Sequence, residues 1–325
     1  MYEENVTERI PKDGRFLLIK QWGFGFWSDM HDVWGKLLLA EITNRRPIVF
    51  WGEDSLYSVG ENNNSFEQYF LPVSDCSLGD VVNDKYTYFP PVWNFSNIFH
   101  TDPKRFLMVY RDVPSFINSN ANVLVSDHYN FINEFMPWIK EGHPAHGLNA
   151  DDVYRYIHNK YIKLQPDIAK EIDEFYHTHM ETGPILAVHI CGSLPNISAS
   201  HLNEINSEYP HEIDCYLKDN PSARIFLLTE NESILEQYRQ RYGDILIYTD
   251  CNRKMVDGFY PVLQVFPDRR RKGIEIIKDT YLASKCDYFI GNGGSNVSIA
   301  IIRLKTWGNG WFKALWKPLP PGKYT

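Results

Sequence analysis

Phe289-Ile290-Gly291-Asn292-Gly293-Gly294-Ser295-Asn296-Val297-Ser298 is the stretch whose reading decides the fold. An apolar run, Tyr288 to Ile290, stops in a loop of small residues. A helical pattern through Ile299, Ile301, Ile302 and Leu304 follows. Strand, glycine loop and helix is the arrangement that presents backbone N–H groups and a positive helix end to an anion, most often a phosphate. Taken alone, the loop fits tight βα packing equally well. Its surroundings decide.

Working outward, Ile274, Ile277, Tyr281 and Leu282 mark a helix that leads into this strand. Ile185 to Ile190 reads as a buried strand, followed by a helix ending near Leu217. Arg224 to Leu228 is a strand, and Thr229-Glu230-Asn231-Glu232 supplies a capping box into the next helix. Ile245 to Tyr248 is another strand. Strands alternating with helices predict a doubly wound parallel sheet. Ligands then sit outside the carboxyl ends of the strands. His189, Thr229, Glu230 and Gly291 all fall at such ends.

The first half opens with the strand Phe16 to Ile19 and a glycine turn, Trp22-Gly23-Phe24-Gly25-Phe26-Trp27. A helix follows with Val33, Trp34, Leu37, Leu38 and Ile42 on one side, ended by Asn44. Pro47 to Trp51 is a second strand. This is a βαβ unit, whose strands run parallel. Residues 52–125 read as loops and short elements, and 149–180 as helix bridging the halves. We therefore expect an N-terminal domain over 1–180 with a loop-rich insert, and a C-terminal domain over 181–325.

A length of 325 residues suits two domains. The net charge of −8 excludes a global nucleic-acid footprint. The five cysteines, Cys76, Cys191, Cys215, Cys251 and Cys286, form no C-x-x-C pair. That argues against a disulfide scaffold or zinc site and suits a reducing, cytoplasmic setting. Met1 to Arg15 lacks the apolar core of a signal peptide. No apolar run approaches the roughly 20 residues of a membrane span. The 9 Trp, 20 Tyr and 19 Phe favour deep cores and also line sugar- and base-binding clefts.

These residues resemble the fucosyltransferase superfamily of nodulation-factor, core and protein O-fucosyltransferases. Three blocks carry the resemblance. Gly23, Gly25 and His31 are similar to the family's first turn. Ile185 to Ser193, with Phe226 to Glu230, forms the second block. Gly273 to Val297 forms the third, where Asp279, Asp287 and Gly294-Ser295-Asn296-Val297 look like the donor motif. The resemblance implies an α/β fold of two Rossmann-like doubly wound domains facing across a cleft, the GT-B arrangement. It implies inverting transfer of fucose from GDP-fucose to a glycan or other hydroxyl acceptor, with no cofactor or metal required.

The family's second block reads His-x-Arg-Arg/Gly-Thr/Ser-Asp-Lys. Its histidine contacts guanine and its first arginine clamps the β-phosphate. Here the block is His189-Ile190-Cys191-Gly192-Ser193-Leu194-Pro195. Cys191 replaces the arginine, and a thiol cannot make two charged hydrogen bonds to a leaving diphosphate. Loss of one such donor typically costs about two to three orders of magnitude in rate. Arg269-Arg270-Arg271-Lys272 is the natural replacement, with Arg271 its candidate; a solvated helix-start charge run is the plainer reading.

By the resemblance, the donor site comprises His189, Gly192, Ser193, Thr229, Glu230, Asp279, Gly294, Ser295 and Asn296. Gly23, Phe24 and Gly25 would face the acceptor. Asp29 and His31 are general-base candidates that could equally cap and solvate their helix. His177, His179 and Glu181 lack the further ligands a metal needs. A relative that binds a nucleotide without transfer, and an unrelated phosphate-binding enzyme, remain the rival readings.

Overall fold

Strands whose residues are buried on both faces form the centre of each half, as a parallel sheet covered by helices requires. The structure is a computed structural model that describes residues 14–58, 60, 64–194, 197–253, 267–308 and 310–316. Most of the N-terminal segment read above, and Pro195, lie outside the described residues. The chain divides into two compact units, Met1–Gln165 and Pro166–Thr325.

In the first unit, β1 (Phe16–Lys20) leads through α1 (Phe26–Ile42) to β2 (Arg46–Phe50). The strands pair in parallel, with Leu18 opposite Ile48, as the βαβ reading expects. Asn44 takes the left-handed conformation that ends α1, at φ 50°. The strands β3 (Tyr88–Phe89) and β4 (Val123–Ser126) complete the sheet, in order β2-β1-β4-β3. Short helices α2 (Val113–Asn118) and α3 (Ile132–Phe135) flank β4. The strand β4 lies at the end of the stretch 52–125, expected to hold loops and short elements, and just past it. Four buried apolar and small residues show no alternation to betray a strand.

The helical region 149–180 is two helices, α4 (Ala150–Tyr161) and α5 (Pro166–His179). Between them Leu164 bridges back to Phe70. Pro166 opens α5, the position where its missing N–H and fixed φ are tolerated. Because α5 packs within the second unit, the boundary falls earlier than the expected 180/181.

The second unit runs β5 (Ile185–His189), α6 (Ala199–Asn206), α7 (Tyr209–Asp219), β6 (Arg224–Leu228), α8 (Glu232–Tyr242) and β7 (Leu246–Ile247). It continues through α9 (Arg269–Lys285), β8 (Tyr288–Asn292), α10 (Asn296–Leu304) and β9 (Phe312–Leu315). All pairings are parallel, in order β7-β6-β5-β8-β9. The chain walks outward from β5 to β7 and then returns to the other side of β5 at β8. The point of reversal, between β5 and β8, is where open α/β sheets form a crevice. The predicted cap of α8 shifts by two residues: Asn231, not Thr229, accepts from the Ile234 N–H at 3.1 Å.

Alternation along β5 sends Leu186, Val188 and Ile190 into one core with Ile205, Tyr209, Ile213 and Leu235. It sends Ala187 and His189 to the opposite face. The helix α9 packs against β5, β6, α5 and α10. No helix among the described residues is long and apolar enough to cross a membrane. All five cysteines are free.

The first unit is anchored on Phe26, at the start of α1. Its ring meets Trp51, Tyr57 and Tyr69 edge-on, with centroids 5.5, 5.1 and 5.3 Å away. The Phe26 side chain is fully buried. Phe26→Ala should destabilise the first unit by about 3–5 kcal/mol, read from urea unfolding. A loss below about 1 kcal/mol would show that the aromatic cluster is not the core of that unit.

Candidate functional site

The second unit brings His189 and Ser298 together across the point of strand reversal. His189 Nδ1 lies 2.8 Å from Ser298 Oγ, which ties the end of β5 to the first turn of α10. Gly291 makes this possible. A Cβ there would come within 2.6 Å of Ser298 Oγ and 2.3 Å of the Phe289 ring. Burial holds the His189 imidazole neutral, its pKa lowered to about 4. The Cys191 thiol lies 3.8 Å from His189 Nε2. Burial pushes that thiol up, so it is not a ready nucleophile.

His189, Thr229, Glu230, Lys272, Glu275 and Asp279 are among the residues lining a cavity of about 80 Å³ that opens to solvent at this edge. The His189 imidazole lies on this cavity. Asp279 reaches it from the middle of α9, so it is not a plain surface carboxylate. Its Oδ1 accepts from Thr249 Oγ1 at 2.6 Å, and its Oδ2 from Cys251 Sγ at 3.8 Å. A carboxylate has about four acceptor sites, so lone pairs remain for a ligand. Burial raises the Asp279 pKa, opposed by the Thr249 hydrogen bond.

Glu230 does something unforeseen. Its Oε1 accepts from the Gly192 N–H at 2.6 Å and the Ser193 N–H at 3.2 Å. Two backbone donors of the expected donor site are thus met by a carboxylate of the same chain. Burial raises the Glu230 pKa. Thr229 is buried, with its carbonyl accepting from Arg253 Nε at 3.0 Å and its hydroxyl accepting from the Asn231 N–H.

In the glycine loop, the Gly294 N–H is committed to Asn292 Oδ1 at 2.8 Å. Ser295 is the N-cap residue of α10 but makes no side-chain capping bond, and Asn296 begins the helix. The half-exposed Trp316 ring lies on Gly294: a Cβ at Gly294 would sit 2.4 Å from its Cζ3. Asp287, the other motif aspartate, lies at the opposite end of the sheet and accepts from the Ile185 N–H at 2.8 Å.

Arg271 does not join this group. Its Nη1 and Nη2 each donate to Glu171 of α5 at 2.7 Å, and Arg270 pairs with Asp167 at 2.7 Å. The basic run clasps α9 to α5, and Lys272 is its member on the cavity. Asp29 and His31, the general-base candidates, are both enclosed in the first unit. Asp29 is buried and accepts from the Gly23 and Phe24 N–H groups, at 3.1 and 3.2 Å to Oδ1. His31 is buried with its ring centroid 5.1 Å from that of Trp34. Neither is placed to take a proton from an acceptor. Of the turn residues, Gly23 has φ 91°, Phe24 stacks on Trp22 at 5.4 Å, and Gly25 is the extended N-cap of α1. His177 pairs with Glu181, and no metal-binding cluster occurs among the described residues.

The sequence singles out Lys272 only as a member of the basic run and gives no sign of Glu275, Thr249 and Cys251. Lys272, Glu275 and Asp279 share a face of α9 at spacings of three and four, the one signal that could have found the first two. A larger cavity, about 650 Å³, lies toward the amino ends of the strands, with Asp219, Asp287, Tyr288 and Trp311 in its wall. Among the described residues no Lys, Arg or His lines it, so it is poorly suited to a diphosphate.

Arg271→Ala should lower stability by about 0.5–1 kcal/mol in urea unfolding, since the pair is partly solvated. It should weaken ligand binding far less than loss of a direct contact would; a loss of about tenfold or more would return Arg271 to the site. The neutral His189 sets a pH dependence. Between its ordinary value of 6.5 and about 4 the folded unit binds fewer protons than the unfolded chain. Stability therefore falls as pH drops through that window. At pH 5 the cost is about 2 kcal/mol, at about 1.4 kcal/mol per unit. His189→Gln should show an acid loss shallower by that amount; equal slopes would mean the imidazole is not held neutral.

No protein-family model matches the chain, and no curated protein matches it in sequence. Its structure is similar to that of NodZ α-1,6-fucosyltransferase soaked with GDP-fucose, at 17% identity and a TM-score of 0.63, covering 89% of this chain and 92% of that one. It is similar to fucosyltransferase NodZ from Bradyrhizobium at 18% identity and a TM-score of 0.60, over 88% and 91% of the two chains. POFUT1 in complex with GDP aligns at 12% identity and a TM-score of 0.55, over 94% and 99%. At such identities the likeness speaks to the fold: the chain carries the α/β, GT-B-type fold of the fucosyltransferase superfamily.

Proposed function

We propose that the second unit binds a GDP-linked sugar at the carboxyl edge of β5, β6 and β8. On this reading the chain is a glycosyltransferase that moves the sugar, fucose, with inversion to a hydroxyl of a glycan or other acceptor. The observation that carries the reading is the meeting of His189 and Asp279 in one cavity at the point of strand reversal. Structures similar to this chain hold GDP or GDP-fucose, which supports the same donor class here.

The chemistry of the cavity favours guanine. Asp279 offers acceptor lone pairs to the adjacent N1–H and N2–H donors of that base. Uracil presents one N–H between two carbonyls, which a carboxylate would repel. The neutral imidazole of His189 adds a donor or acceptor to the base edge. Lys272 supplies positive charge on the way out of the cavity, and the first turn of α10 adds N–H groups for phosphate.

Two observations favour a second reading, in which the chain binds the nucleotide without transferring sugar. Cys191 stands where a phosphate-clamping arginine is expected, and Glu230 already fills the Gly192–Ser193 amides.

GDP should raise the melting temperature of the full chain and UDP should not. Asp279→Asn should weaken GDP binding about tenfold or more, the worth of a hydrogen bond to a charged group. Equal stabilisation by UDP and GDP, or by neither, would sink both readings. Release of fucose from GDP-fucose then separates enzyme from binder.

A further inference from the structure

The cavity beside His189 holds a carboxylate that the proposed function leaves without a role. Glu275 lies on α9, one turn before Asp279, and its side chain is in the cavity wall. The residue is 7% exposed. Its Oε2 is buried and accepts no hydrogen bond among the described residues. The nearby cations stand beyond hydrogen-bond range: Lys272 Nζ is 3.6 Å from Oε2, and Arg271 Nε is 3.7 Å from Oε1. They offset the charge of the carboxylate without saturating it. Buried polar atoms are nearly always hydrogen-bonded, and an exception calls for a missing partner.

The direction of α9 says what that partner would be. The helix begins at the carboxyl edge of the sheet, after β7, and descends to the start of β8. Asp279 is therefore the deeper carboxylate, and Glu275 lies nearer the edge by one turn, roughly 6 Å along the axis. A nucleoside with its base on Asp279 and its phosphates at the edge passes its ribose beside Glu275. In dinucleotide-binding Rossmann units an acidic side chain accepts from the ribose hydroxyl. A carboxylate has the lone pairs to accept from both vicinal hydroxyls.

We propose that Glu275 binds the 2′- and 3′-hydroxyls of the nucleotide ribose and makes the site selective for ribonucleotides. This rests on the nucleotide reading above. Glu275 is then the sugar-reading member of a carboxylate pair whose base-reading member is Asp279. As a mere counter-ion for Lys272 and Arg271, Glu275 would be indifferent to the ligand's 2′-hydroxyl.

The test is calorimetric titration of the full chain with GDP and with 2′-deoxy-GDP. The unmodified protein should bind 2′-deoxy-GDP about tenfold or more weakly, as expected for loss of a hydrogen bond to a charged acceptor. Glu275→Gln, which keeps the side-chain volume, and Glu275→Ala should each bring the two affinities within about threefold of each other. They should do so by weakening GDP more than 2′-deoxy-GDP, which keeps only the 3′-hydroxyl contact to lose. Equal weakening of both ligands, an unchanged ratio, or an unmodified protein that binds both alike would overturn the assignment while leaving the nucleotide reading intact. Failure to bind either ligand would overturn both.

Discussion

The carboxyl edge of the second sheet depends on the contact between His189 and Ser298. It joins the end of β5 to the start of α10 across the point where strand order reverses. A buried imidazole leaves water at a cost unless it is hydrogen-bonded, so the contact fixes the ring. It also requires that β8 carry no side chain at Gly291. One glycine, one serine and one histidine, drawn from three elements, thus define the wall on which the other cavity residues stand.

Backbone donors past the strand ends are treated alike in both units. In the first, Asp29 receives the N–H groups of Gly23 and Phe24. In the second, Glu230 receives those of Gly192 and Ser193. Each turn would otherwise present a small anion-binding concavity. Filled by a carboxylate of the chain itself, each becomes a rigid corner. Glycines that resemble phosphate cradles in sequence can therefore be parts of self-closed turns.

Much of the second unit was legible in the sequence. Its strands are apolar runs of strand length, its helices show helical spacing, and the apolar run ending at Gly291 marks the edge. His189 and Asp279 were legible through motif and resemblance. The first unit was less so. Its strand β4 is short and uniformly buried, and tertiary pairing with β1 makes it a strand. Asp29 and His31 looked reactive because sequence carries no record of burial. Arg271 looked like a substitute cation because its partner Glu171 lies on a helix a hundred positions earlier. Glu275 was hidden for the opposite reason: a charged residue in an amphipathic helix looks solvated until its neighbours are known.

The Trp316 ring resting on Gly294 ties two positions that are far apart in kind, a bulky aromatic after the last strand and a bare backbone in the loop after β8. No side chain fits at the second while the ring keeps its place. A lineage of such chains could enlarge the loop residue only after shrinking the aromatic, so a side chain in the loop implies a smaller residue after the last strand.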